Sequence, residues 1–220
     1  EVVETFIYKL TNANPDGSTL PQHFFQSLKL ALTSFIIATI IGVPLGWIMG
    51  YYKVADFLLN PLFEIIRPIP PIAWIPIVIL TMGIGMSAKV FIIFVAAFVP
   101  NVINSYLGIR LTDATLINVA KTFGASDWKI FTTVCIPSSM NMVFTGIRLS
   151  LNASWTTLVA AEMLASIRGL GYMIQMGRTI IRQDIIIVGM FTIGLTGAML
   201  NGILGLFEKK VAPWRYRDNG

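Results

Sequence analysis

The sequence predicts an all-α protein, a polytopic transmembrane bundle of apolar helices, and three observations predict it. Of 220 residues, 55% are hydrophobic and only 12% are charged, about half the ~25% charged share of an ordinary soluble domain. A water-facing protein of this size cannot hide so much apolar surface in one core. The charges are also clustered: no Asp, Glu, Lys or Arg falls between Lys29 and Lys53, Arg67 and Lys89, Lys89 and Arg110, Lys129 and Arg148, or Asp184 and Glu208. Several of these gaps reach the ~20 apolar residues that a bilayer-crossing helix needs. In lipid each segment must satisfy its own backbone, as a helix does. Finally, the apolar–polar alternation of a membrane β-barrel is absent.

In order along the chain, residues 1–22 read as a mostly polar external segment with a turn at Asn14-Pro15-Asp16-Gly17. The chain starts at Glu1 and shows no signal-peptide pattern, so an upstream segment is expected. The first span covers 25–52, with Gly42, Pro44, Gly46 and Gly50 in its second half; small residues at such spacing let helices approach closely. The second span is broken. Phe57–Ile66 reads as a short helix at the membrane surface, and Arg67-Pro68-Ile69-Pro70-Pro71 cannot continue it, because three prolines lack the amide hydrogen. The apolar run resumes to Met82, Gly83-Ile84-Gly85 makes a tight turn, and the third span follows over 88–107. Residues 108–137 are more polar, with short helical pieces. The fourth span covers 138–163, a loop with Gly169-Leu170-Gly171 covers 164–183, and the fifth span covers 184–208 before a basic tail at 209–220.

Lysine and arginine mark cytoplasmic loops. Residues 53–67, 108–137 and 209–220 together carry nine of them against six on the opposite side. The balance predicts that 108–137 and 209–220 are cytoplasmic and that 1–22 and 164–183 are external, with Trp47, Trp74 and Trp214 near the interfaces. The net charge of +5 fits basic loops rather than a nucleic-acid partner.

Covalent chemistry has few candidates. The chain has one histidine, His23, and one cysteine, Cys135, so neither a metal site nor a Ser/His/Asp or Cys/His set is predicted, and Cys135 cannot form an internal disulfide. No GxxxxGK[ST] phosphate loop occurs. The energy source for any transport therefore lies outside the chain, which leaves a channel, an ion-coupled secondary carrier, a membrane scaffold, or one subunit of a larger machine. An ion-coupled carrier needs intramembrane carboxylates, and the charge-free spans offer almost none.

The segment 118–137 discriminates among these. It contains Asn118, Ala120, Lys121, Phe123, Gly124, Ala125, Ser126, Asp127, Trp128, Phe131 and Pro137. Gly124 permits a turn that other residues resist, and Pro137 suits the first turn of the next helix. Phe123, Trp128 and Phe131 are large apolar groups on a loop that lipid cannot fully cover; either a protein partner or the chain's own helices must. The segment resembles the cytoplasmic EAA loop of permease subunits of ABC importers, with Ala120, Gly124 and Pro137 at the family's spacing. Asn118 stands where that pattern has Glu, and can take over its helix-capping role.

The resemblance continues in Leu20–Leu28, in the Pro-rich break Arg67–Pro76 and in Thr157–Gln175. Together they are similar to the nitrate/sulfonate/taurine permease family, the last segment most of all to its taurine branch. The resemblance implies a type I importer core with one more span before Glu1, and a homodimer around the pathway. It also implies two ATPase subunits that bind ATP and Mg, an external solute-binding protein, and a bacterial inner-membrane location. Taurine or another sulfonate is the implied solute; nitrate, bicarbonate and aromatic or vitamin-like solutes remain open.

Within the spans, Arg148, Asn152, Thr156 and Val159 recur at intervals of three or four on one helix face. An intramembrane charge is costly, so this face is expected to line the pathway, with Trp155, Asn101 and Asn104 as further candidates. Arg148 can alternatively snorkel or pair with another helix, and the amide and hydroxyl groups can alternatively bond helix to helix. Glu162 is expected either to pair with a basic loop residue or to sit at a solvated helix end. Glu64 and Arg67 are spaced to pair, and His23 reads as an interface anchor or a pH-sensitive group.

Overall fold

The computed structural model describes residues 2–211, and among these the chain is built from helices alone. They are α1 (Val2–Thr11), α2 (Leu20–Tyr51), α3 (Lys53–Ile66), a 3₁₀ turn (Pro71–Trp74), α4 (Ile75–Met82), α5 (Met86–Arg110), α6 (Ala114–Thr122), α7 (Asp127–Ile130), a π turn (Phe131–Cys135), α8 (Ile136–Ala165), α9 (Leu170–Thr179) and α10 (Gln183–Val211). Four stretches, Leu20–Tyr51, Met86–Arg110, Asp127–Leu164 and Gln183–Lys210, are long and apolar enough to cross a membrane. Lys53–Ile66 and Pro71–Met82, the second span of the sequence reading, qualify only as a pair, bent by 86°, the shape of a broken span or a re-entrant loop.

α5 is the centre, packed between α2 and α8. Gly42, Gly46 and Gly50 form the contact stripe of α2: a Cβ on Gly46 would lie 2.5 Å from the Val102 carbonyl oxygen of α5. The main core joins Leu30, Ile93, Leu158, Leu170, Met173 and Ile185 from five helices. Facing outward are bare aliphatic and aromatic side chains such as Ile40, Leu80, Phe191 and Leu195, which lipid rather than water suits.

Three parts differ from the sequence expectation. Residues 2–11 are helical, their Val2, Phe6 and Leu10 falling at helical spacing, and Thr5 donates to Asp184 of α10 at 2.6 Å. Residues 170–179 form α9, inside the stretch read as a loop; Leu170, Met173 and Gly177 are its buried side. α3 is not confined to the surface. Its Asp56 pairs with Arg110 at the end of α5, while its Phe63 ring stands 6.4 Å from Phe98, about 18 Å higher at 1.5 Å per residue. Of the basic tail, Lys209 and Lys210 belong to α10; residues 212–220, with Trp214, Arg215 and Arg217, lie outside the described residues.

Candidate functional site

The loop between α5 and α8 is held by its own backbone. Asp113 caps α6, accepting from the Thr115 N–H at 2.8 Å, so the capping role expected of Asn118 falls five residues earlier and Asn118 is mid-helix. α6 ends in a doubly bonded reversal: the Ala125 N–H reaches the Ala120 carbonyl at 3.0 Å and the Gly124 N–H reaches Lys121 at 2.9 Å. Gly124 takes φ +76° with no other atom near the place of a Cβ, so glycine is required by the backbone and not by crowding. Ser126 caps α7, and the Tyr51 hydroxyl donates to the Asp127 carbonyl at 3.0 Å, tying the loop to α2.

Pro137 lies in the first turn of α8, as expected. The turn before it is widened, with the Ile136 N–H reaching back to the Phe131 carbonyl. The wider turn relieves the clash of the proline ring with the preceding carbonyls.

The three aromatic residues part company. Phe131 is buried (5% exposed) against Tyr51 and Tyr52, with ring centroids at 4.9 and 5.7 Å. Phe123 and Trp128 stay open, at 86% and 65% exposure. Ala120 and Ala125 are half-buried beneath them, while Lys121, Ser126 and Asp127 face outward. Two residues that sequence reasoning passed over join the open face: Leu116 and Val119 are exposed and share one side of α6 with Phe123 by their spacing of three and four.

The expected pathway residues divide as well. Arg148 pairs with Glu208 of α10, Asn152 accepts from Asn201 at 2.8 Å, and the Trp155 indole donates to the Ile193 carbonyl at 3.1 Å. All three tie α8 to α10, although Arg148 and Asn152 keep exposed edges. Asn101 is fully buried and bonds Thr39 of α2 and Ser150 of α8 at 3.1 and 2.9 Å; Asn104 turns back to the Pro100 carbonyl. Asn101 thus holds three helices together, while the Asn104 bond stays within α5. Thr156 lines a cavity of about 420 Å³ between the Arg67–Pro71 break, Val99 and Pro100 of α5, and Ala153 and Thr157 of α8. Val159 is half-buried on the same helix.

At the far end of the bundle from this loop, Glu162 is not solvated and, among the described residues, forms no direct ion pair, although Lys89 lies near enough to interact with it. It is buried, accepting from Ser27 Oγ at 2.8 Å and from the Gly171 N–H at 2.9 Å. Ser27 in turn accepts from the Leu170 N–H, and His23 Nδ1 accepts from the Gly169 N–H at 3.0 Å. That bond leaves the His23 proton on Nε2, 3.3 Å from Asp16, which also binds Lys9. His23 is thus a buried bonding group and not an interface anchor. A carboxylate followed at seven and nine positions by glycines was the signal available in the sequence. Among the described residues no group of acidic, His and Cys side chains is placed to hold a metal ion.

Residues 42–214 match the family model described as binding-protein-dependent transport system inner membrane component. The chain belongs to that family. An ABC transporter permease protein of Brucella abortus (strain 2308) is 36% identical over 217 residues, covering 99% of this chain and 85% of its own. One of Methanocaldococcus jannaschii is 40% identical over 215 residues, covering 97% and 80%. The taurine transport system permease protein of Escherichia coli (strain K12) is 32% identical over 208 residues, covering 93% and 76%; other relatives are named for nitrate import and aliphatic sulfonates transport. The permease is therefore a multi-pass inner-membrane component of an ABC importer, a family of transporter subunits that are not themselves enzymes.

Proposed function

We propose that two copies of this permease form the translocation pathway of an importer for a small anionic solute, with taurine or another sulfonate first and nitrate second. Two ATPase subunits, binding ATP and Mg, dock on the loop at 108–137 on the cytoplasmic side. A solute-binding protein delivers cargo to the external side, which carries 1–22 and 164–183. The observation that carries this reading is the open apolar face of Leu116, Val119, Phe123 and Trp128, set on a loop whose backbone is already fixed. A rigid apolar patch of this kind on a cytoplasmic loop fits a groove on a partner protein. Nucleotide-driven motion of that partner would pass through α7 into α8, and coupling of this kind is reciprocal. The exposed edges of Arg148, Asn152 and Thr156 would face the pathway between the two copies. Names of relatives support the solute class.

The test is reconstitution of the permease with its ATPase and binding protein, scoring ATP-dependent uptake of taurine and nitrate. Uptake without ATP, or no copurifying ATPase, rejects the importer reading. Topology is read separately in a Cys135→Ser background: an impermeant thiol reagent outside intact cells should modify Arg178→Cys and spare Ser126→Cys.

A further inference from the structure

We infer that Arg67, at the break of the second span, is the residue that selects anions in the mid-membrane cleft. The inference rests on the importer reading and adds a site to it. By sequence Arg67 groups with the basic residues at one membrane face and pairs with Glu64 as an ordinary helix neighbour. The structure puts it elsewhere. Its side chain lines the cleft beside Val99 and Pro100, near the middle of α5 (Met86–Arg110) and facing the Ala153–Thr157 stretch of α8. A cation at that depth is expensive and is retained for a reason, and broken helices are where membrane transporters place their binding groups.

The local geometry leaves Arg67 able to bind. A smaller cavity of about 160 Å³, lined by Asn60, Glu64 and Tyr106, lies on the α3–α5 side; Arg67 is the one residue that this cavity and the larger cleft share. Glu64 therefore holds the guanidinium from the α3–α5 side, by a single 2.8 Å bond to Nη1. A guanidinium has five donors, so most remain for the cleft. The opposite wall offers hydroxyls. Thr156 spends its proton on the Asn152 carbonyl at 2.9 Å, whereas Thr157 Oγ1 has no partner among the described residues. No carboxylate lines the cleft. A fork of N–H donors opposite a free hydroxyl, with apolar walls of Ile69, Val95 and Val99, suits an oxyanion such as a sulfonate or nitrate and disfavours a cation.

The experiment reads charge in the cleft without depending on the solute. In the complete importer, with Cys135→Ser and Thr157→Cys, the reaction rates of an anionic and a cationic methanethiosulfonate are compared, each normalised to its rate with a small free thiol. The anionic reagent should be favoured. Arg67→Gln should collapse that preference by about 10-fold, the size expected for one charge several ångströms away at intermediate dielectric. Arg67→Lys should largely keep it, and Glu64→Gln should raise it. An unchanged ratio in Arg67→Gln overturns the inference, as does failure of Thr157→Cys to react with either reagent. If Arg67→Gln does not assemble, Glu64→Gln decides, and an unchanged ratio there is equally fatal. ATPase copurification and taurine uptake are scored on the same preparations. A normal importer with no charge effect sinks the Arg67 site alone, whereas a charge effect without an ATPase partner sinks the importer reading alone.

Discussion

At the loop end of the bundle Phe123 and Trp128 are largely exposed, Trp128 touching the edge of the core through the Phe131 ring at 5.7 Å, while at the far end Lys9, Asp16, His23 and Glu162 are sealed inside the chain. The bonds that hold the two ends differ in the same way. The loop's turns are fixed by neighbours, Asp113 to Thr115, Gly124 to Lys121 and Ser126 to Lys129, with Tyr51 to Asp127 tying it to α2. The far end is fixed by residues far apart in sequence, the Ser27–Glu162 bond spanning 135 positions. A loop ordered locally can keep its apolar groups on display, because its shape does not depend on burying them. A polar cluster ordered by distant partners must be closed to be stable, since each unpaired member would cost more than the bond it makes.

The far end should therefore suffer most from a single change. Glu162→Leu leaves the Ser27 hydroxyl and the Gly171 N–H without their acceptor, at a cost of about 3 kcal/mol. Glu162→Gln, which keeps an acceptor oxygen, should cost clearly less. Thermal unfolding of the detergent-solubilised permease measures both; an unchanged midpoint for Glu162→Leu would show that the far end is not locked by this carboxylate.

At the loop end, Phe123→Ala and Trp128→Ala should leave that midpoint within about 0.5 kcal/mol of wild type and weaken retention of the ATPase by about 2 kcal/mol each. Phe131→Ala should reverse the pattern, destabilising the chain by about 3 kcal/mol, because its ring is buried against Tyr51 and Tyr52. If Trp128→Ala unfolds the chain, the distinction between displayed and buried aromatics fails. Gly124→Val ranks next. Its space is open, so the cost is conformational, about 1–3 kcal/mol, and Gly124→Asn should recover much of it, since Asn tolerates positive φ. Equal losses for Val and Asn would point to crowding instead.

Features encoded over short stretches were legible in the sequence. The charge-free gaps gave the spans, and the spacing from Gly124 to Pro137 gave the loop, its positive φ and the start of α8. Features that depend on which helix lies opposite were not. Arg148 and Asn152 share a face by spacing, yet their partners Glu208 and Asn201 come from α10, and nothing in periodicity names a partner helix. The depth of Arg67 was hidden for the same reason: the proline cluster announces a break but not the height at which the chain resumes. α1 and α9 are a different case. Both carry helical spacing, masked by a polar turn in one and by flanking glycines in the other.

The smallest expected effect comes from acid, and it too separates the two ends. Burial opposes ionisation of Asp16, but the hydrogen bonds from His23 and Lys9 and the Lys9 charge prevail and hold its carboxyl below the ordinary value of 3.8. Asp113, at the surface, is held below the same value by hydrogen bonds from the Thr115 backbone and side chain, which outweigh a small opposing desolvation. In both cases the folded state prefers the ionised carboxylate, so the stabilisation is fully present above the ordinary value and fades as pH falls below it through the lower folded value. Between pH 8 and 5 both carboxyls stay ionised, so neither Asp16 nor Asp113 contributes a pH dependence there. Below about pH 4, near the ordinary value for Asp, protection of backbone amides in residues 12–19 should drop, since Asp16 joins three buried groups. In residues 114–122 the drop should be slight, because Asp113 is exposed and caps a single turn. Hydrogen-exchange protection of the two segments, compared at each pH, makes the measurement. Equal losses would mean that burial adds nothing to the Asp16 cluster, and a loss in residues 12–19 already at pH 6 would mean that a group other than Asp16 holds that end.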